Sequence, residues 1–257
     1  MRIETPLEDI LATRKGFTID SHSSTEVILI HGIGGTASGN KPLGDFIASH
    51  NGFDVVGICL PGHATKPEDL FPVTYEDWAK AIKDACLEAR KTHAKVLIVG
   101  GSLGGLLALQ AAEEGVVDGV VEFSAPLVYK HPIFNAAGFI SHFKKYHVWK
   151  EYQYVTKEDA EKAKLVSYDR LPYKSVQEMN KLQKEVKQNL SSVHCPCLAI
   201  YGGQDVLVSQ KGSMKMLSKA KIQQLQTELF VNSGHTMLWG VDKEAVFAKI
   251  SDFLTNI

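Results

Sequence analysis

The chain has 257 residues, the upper end of one large α/β domain, and its 44% hydrophobic content is ample for a buried core. A formal net charge of −1 and a pI near 6.8 leave no basic field for nucleic acid and no polybasic stretch for anionic lipid, which favours a neutral or small ligand. The opening run Met1 to Pro6 lacks a charged-then-apolar leader profile, and the longest apolar stretch is broken by glycines and Ser102, so a cytoplasmic protein without stable membrane insertion is expected.

In chain order, Gly16 to Asp20 reads as an antiparallel edge strand, and Val27–His31 as the first long apolar strand. Pro42–His50 follows as a helix, Asp54–Leu60 as a strand and Tyr75–Thr92 as a helix with apolar residues at three- and four-residue spacing. Lys95–Gly100 is strand and Leu103–Glu114 helix; Gly119–Ser124 is strand again. After a long interval come strand Cys197–Tyr201, helix Gln210–Ala220, strand Thr227–Asn232 and helix Lys243–Leu254. Alternating elements of this kind predict a mostly parallel central sheet with helices on both faces.

The alternation fails between Pro126 and Leu190, a segment too long for a simple loop. It is expected to be a largely helical cap or lid, residues 126–190, inserted between core parts 1–125 and 191–257. It holds Tyr129, Phe134, Phe139, Phe143, Tyr146, Trp149, Tyr152 and Tyr154, then a charged helical pattern from Thr156 to Lys164. Aromatic stripes are more often packing than ligand contacts, so the segment is read as a unit with an apolar entrance. Four cysteines do not make a disulfide framework: Cys59 and Cys86 read as core residues, and Cys195-Pro196-Cys197 has neither zinc nor C-x-x-C spacing.

The most informative run is Val96 to Leu109, where an apolar strand breaks on glycines around Ser102 and resumes at once as a helix. That is the sequence form of a nucleophile elbow, in which a serine sits on a strained turn and small neighbours let strand and helix pass closely. The N–H of Leu103, at the positive end of the new helix, is a candidate oxyanion donor. A serine hydroxyl needs an imidazole base and an acid to orient it. Asp205 follows one late strand and His235 the next, so all three candidates fall at the carboxyl rim of a parallel sheet, in the order Ser, Asp, His. Asp242 follows His235 too closely to serve as the acid, and Asp118 begins its strand on the wrong rim. His31 opens Gly32-Ile33-Gly34-Gly35 as a loop-shaping residue, and the N–H of Ile33 is the second expected oxyanion donor. Neither glycine run has the form of a phosphate cradle.

The motifs His31-Gly32-Ile33-Gly34-Gly35, Leu60-Pro61-Gly62-His63, Pro67-Glu68-Asp69-Leu70, Tyr75-Glu76-Asp77-Trp78, Gly100-Gly101-Ser102-Leu103-Gly104-Gly105, Gly203-Gln204-Asp205 and Ser233-Gly234-His235 span nearly all of the core. On these residues the chain resembles serine carboxylesterases of the α/β-hydrolase superfamily, in the subgroup with small bacterial carboxylesterases and monoacylglycerol lipases. Ala64, where glycine is usual, and Leu103, where methionine is frequent, depart from the pattern. The resemblance implies an α/β-hydrolase fold with a cap, a Ser102–His235–Asp205 triad and no metal or organic cofactor. Gly32, Val206, Met237 and Leu238 are the expected substrate contacts, lining an acyl pocket of modest size.

The activity expected is hydrolysis of short to medium acyl esters through an acyl-enzyme, falling as pH drops below roughly 6 to 7, where an ordinary histidine protonates. Monoacylglycerols, hydroxycinnamoyl esters, amides and thioesters are alternatives, as are carbon–carbon hydrolysis and perhydrolysis on the same fold. A ligand receptor built on a hydrolase scaffold is the rival outside enzymes. A small-molecule ester is the expected partner, with a homodimer left open.

Overall fold

Side chains of a β-strand alternate between the two faces of its sheet, and a strand that is apolar at every position belongs where both faces are covered. The computed structural model describes residues 7–148 and 167–257 and shows this arrangement. Its strands are β1 (Phe17–Ile19), β2 (Thr25–Ile30), β3 (Asp54–Ile58), β4 (Lys95–Gly101), β5 (Gly119–Phe123), β6 (Tyr146–Val148), β7 (Arg170–Pro172), β8 (Cys197–Gly202) and β9 (Leu225–Phe230). Seven form one sheet in the order β1-β3-β2-β4-β5-β8-β9. β1 pairs antiparallel with β3, and every other pairing in this sheet is parallel.

The helices are α1 (Leu7–Ala12), α2 (Lys41–Asn51), α3 (Tyr75–Ala89), α4 (Leu103–Glu113), α5 (Ala137–Ile140), α6 (Tyr173–Asn189), α7 (Gln210–Lys219) and α8 (Lys243–Thr255). On one face, Val27, Leu29, Leu97 and Val99 pack against Leu43 and Ile47 of α2 and Phe247 and Ile250 of α8. On the other, Ile28, Ile30 and Ile98 meet Trp78 and Ile82 of α3 and the wholly apolar flank of α4. α3 begins where the sequence predicts, because Thr74 and Asp77 close a reciprocal capping box.

Boundaries shift by one to three residues, for local reasons. β3 ends at Ile58 rather than Leu60 because the Leu60 N–H leaves the ladder and donates to His31 Nε2 at 3.0 Å. β9 runs from Leu225 because Cys197 pairs with Leu225, and it ends at Phe230, whose carbonyl accepts from Gly203 N–H. α3 stops at Ala89, where the carbonyl groups of Glu88 and Ala89 take turn-type hydrogen bonds from Lys91 and Thr92.

The described part of the expected cap is largely helical, as expected, with one short two-stranded ribbon added. A 3₁₀ turn (Pro132–Phe134) and α5 lead to a two-stranded ribbon in which β6 pairs antiparallel with β7. The long α6 then packs on α4 as part of the core layer. Trp149, Tyr152, Tyr154 and the Thr156 to Lys164 pattern lie outside the described residues, as do Met1 to Pro6. Phe139 and Phe143 stand exposed with ring centroids 5.2 Å apart, whereas Tyr129 is buried. Cys86 and Cys197 are buried thiols, and burial pushes Cys86 up to about 12. Among the described residues, no helix is long and apolar enough to cross a membrane.

Candidate active site

Because β2, β4, β8 and β9 run parallel, the loops that leave their carboxyl ends share one rim. Ser102 sits at the tip of β4 with φ 55° and ψ −117°, a conformation a non-glycine residue adopts only where its surroundings impose it. The imposition is visible on both sides. Ser102 N–H donates to Phe123 O at 3.0 Å, and its carbonyl accepts from Gly105 at 3.0 Å and Leu106 at 3.2 Å. A Cβ on Gly100 would stand 2.0 Å from Gly104 O, and one on Gly104 would stand 2.4 Å from Ile30 O, so neither position admits a side chain.

Asp205 is completely buried, and its Oδ2 accepts from His235 Nδ1 at 2.8 Å. Its Oδ1 takes the N–H groups of Leu207 at 2.8 Å and Val208 at 3.0 Å. Burial pushes this carboxyl up, but the His235 charge, its hydrogen bond and the two backbone N–H groups outweigh burial, leaving it below the usual carboxylate range. An ionised Asp205 fixes the His235 proton on Nδ1 and leaves Nε2 as the free base. His235 and Ser102 line one cavity of about 490 Å³, and no hydrogen bond joins Ser102 Oγ to the ring among the described residues. Hydrogen bonds between a nucleophile and its general base are often long before substrate binds.

The other carboxylates are engaged elsewhere. Asp118 pairs with Arg90 at 2.6 Å and accepts from Val96 N–H, at the opposite end of β4. Asp242 accepts from Ser233 Oγ at 2.7 Å, bracing the loop that carries His235.

The loop after β2 is a tight turn closed by Gly35 N–H on Gly32 O at 3.0 Å, with Gly34 at φ 73°. Neither Ile33 N–H nor Leu103 N–H has a backbone or side-chain acceptor among the described residues. Two unspent donors beside a strained serine are what a developing oxyanion requires. The sequence-expected contacts Gly32, Val206, Met237 and Leu238 all line the cavity, with Ile33. It also takes in Tyr129, Phe134, Leu171, Val176 and Met179 from the inserted segment and α6, and Thr36, Asn40 and Trp239 from the segments that follow β2 and β9.

A buried polar lattice holds the loop after β2. His31 Nε2 accepts from Leu60 N–H while Nδ1 donates to Gly32 O at 2.8 Å; His63 Nε2 accepts from Gly34 N–H at 3.0 Å while Nδ1 donates to Pro61 O. Both rings are therefore neutral, and burial holds them down, His31 to about 3 and His63 to about 4. Tyr168 completes the clamp: its N–H donates to Gly34 O at 2.7 Å, its ring stacks on His63, and its hydroxyl donates to Gly62 O at 3.0 Å and accepts from Thr65 N–H at 3.1 Å.

Two results are expected from this lattice. Below pH 6.5 the unfolded chain protonates both histidines while the folded chain does not, so their stabilisation, complete above 6.5, is progressively lost on acidification toward 4. At pH 5 each forfeits about 2 kcal/mol. Urea unfolding at pH 7.5 and 5.0 should show a smaller pH-dependent loss for His63→Gln than for the parent, and equal losses would contradict the assignment. Tyr168→Phe, which frees the Gly62 and Thr65 ends of the clamp, should lower turnover about 3- to 10-fold, the equivalent of one hydrogen bond, with KM within twofold. Unchanged turnover would separate Tyr168 from the function of the loop after β2.

Known proteins resemble this chain over most of its length. A family described as serine aminopeptidase, S33 matches residues 21–242. A carboxylesterase of Bacillus subtilis (strain 168) is 21% identical over 248 residues, covering 96% of this chain and 98% of that protein. A thermostable monoacylglycerol lipase of Bacillus sp. (strain H-257) is 24% identical over 236 residues, 90% of each chain. In three dimensions the chain is similar to the structure described for LipS and LipT, two metagenome-derived lipolytic enzymes, at a TM-score of 0.86 and 20% identity over 95% of this chain and 98% of that one.

Proposed function

This chain belongs to the S33 serine aminopeptidase family of α/β-hydrolases, and from that premise we propose that it is a serine carboxylesterase acting on short to medium acyl esters. The observation that carries the reading is the strained Ser102, facing a cavity it shares with a histidine oriented by a buried aspartate, and flanked in the chain fold by two backbone N–H groups, of Ile33 and Leu103, that have no acceptor among the described residues.

In this mechanism His235 Nε2 takes the Ser102 proton as Oγ attacks the ester carbonyl carbon. The carbonyl electron pair moves to oxygen, where the Ile33 and Leu103 N–H groups receive it. As the carbonyl re-forms, the bond to the alcohol breaks and His235 gives the departing oxygen its proton. Water, deprotonated by His235, then attacks the acyl-enzyme and releases the acid, restoring Ser102. Asp205 stabilises the imidazolium in both steps without itself taking a proton.

The cavity volume and its aliphatic and aromatic wall support a modest acyl group. Nitrophenyl esters of increasing acyl length test this. kcat/KM should peak at short to medium chains and decline for long ones, whereas a steady rise to long chains would instead identify a long-chain lipase. Hydrolysis of a monoacylglycerol or a hydroxycinnamoyl ester at rates above the best simple ester would move the assignment to those classes.

A further inference from the structure

The cavity has a polar corner that acyl-ester hydrolysis does not use. Its centre is Asn40, the residue before α2, which is 5% exposed, lines the cavity and leaves Nδ2 without a hydrogen-bond partner among the described residues. A buried unpaired amide is costly, and Asn is among the residues preferred at helix starts because its side chain can accept from the first turn. Asn40 does not do so. The caps of α3 and α7 do: Thr74 accepts from Asp77 N–H, and Ser209 from Gly212 N–H. The neighbouring hydroxyls of Thr36 and Ser38 bond each other at 2.8 Å, and neither accepts from Asn40 Nδ2.

The corner lies on the side of the reaction where the alcohol must leave. His235 delivers a proton to the departing oxygen, so the alcohol portion lies against the His235 loop. Trp239, four residues on, donates its indole N–H to Gly39 O at 3.0 Å and so fastens the Asn40 turn to that loop. The aliphatic and aromatic lining that the inserted segment and α6 supply, Tyr129, Phe134, Leu171, Val176 and Met179, suits the acyl group. The positive end of α2 further favours an electron-rich atom over a cation or an alkyl group. Rotation about its last side-chain torsion lets Asn40 turn its NH₂ end to the cavity without backbone movement.

We infer that Asn40 is a specificity-determining residue, its amide donating to an oxygen atom in the alcohol part of the substrate. The alcohol favoured is one that carries a second oxygen, as hydroxyl or ether, a few bonds from the ester. This rests on the esterase reading above and adds the leaving-group preference.

The experiment compares 2-methoxyethyl butanoate with n-butyl butanoate, two esters of equal length whose leaving groups differ by one ether oxygen that can only accept. The quantity read is the ratio of their kcat/KM values, compared across the parent, Asn40→Leu and Asn40→Asp. Intrinsic alcohol reactivity and the amount of folded enzyme both cancel in that comparison. Asn40→Asp keeps the shape and helix-start preference of asparagine while removing the donor. The ether-to-alkyl ratio should fall about fivefold in both variants, the equivalent of one neutral hydrogen bond. Ratios equal to the parent's, with both esters cleaved, would overturn the inference and leave the esterase reading intact. Absence of cleavage of either ester by the parent, under conditions where nitrophenyl esters are also inert, would overturn both.

Discussion

Replacing Ser102 with alanine is expected to lower turnover of a nitrophenyl ester by about 10⁴-fold or more, because nucleophile, base and acid act as one unit and removal of any member forfeits most of their joint effect. The residue contributes little to packing, since its hydroxyl has no hydrogen bond among the described residues and faces the cavity. Alanine also relaxes no strain, because the turn is enforced by the Phe123, Gly105 and Leu106 hydrogen bonds to the backbone of residue 102. The variant should therefore fold with a melting temperature near the parent's. Residual turnover within tenfold of the parent would remove Ser102 from the chemistry.

The second large effect is structural. Gly100→Ala should cost more than about 4 kcal/mol and is expected to abolish recovery of folded protein, a loss in the exceptional class for a single methyl group. The reason is that the added carbon would meet backbone on every near side, Gly104 O at 2.0 Å, Gly104 C at 2.3 Å and Gly105 N at 2.9 Å. Backbone of a buried helix cannot move aside as a flexible side chain can. α4 would have to lift from the sheet, breaking its packing with β4 and β5. Yield and thermal unfolding measure the effect. A folded variant with the parent's melting temperature would show that the elbow is far looser than its contacts indicate.

These two sites were also the most legible in the sequence, for the same physical reason. A strand that turns directly into a helix admits only small residues at the crossing, so Gly100 and Gly104 carry their structural meaning locally. Asp205 and His235 were legible because the rim of a parallel sheet gathers the residues that follow each strand, whatever their separation along the chain. The core strands declared themselves through unbroken runs such as Val27 to Ile30, buried on both faces.

The lattice beneath the loop after β2 was not legible beyond the loop-shaping part given to His31. His63, Gly34 and Tyr168 are joined by hydrogen bonds that cross from 29 to more than 100 positions in sequence, and nothing in the identity of a histidine says that its ring is neutral and shared between two loops. Asn40 was missed because asparagine before a helix is ordinarily a cap, and only the geometry shows that this one caps nothing. The inserted segment was legible as a largely helical interruption, but its ribbon was not. Its ribbon is held by Tyr146, which donates to Glu68 at 2.7 Å, and by Arg170 at 3.2 Å from the same carboxylate, contacts with a distant loop that periodicity does not reveal.

The most direct test is covalent labelling of the parent with a fluorophosphonate, followed by intact mass and peptide mapping. An activated serine of this kind should take up one equivalent per chain on Ser102, and His235→Ala should label at least about 100-fold more slowly, since general-base assistance contributes about that much or more. No adduct, or an adduct on another residue with Ser102 unmodified, would contradict the account.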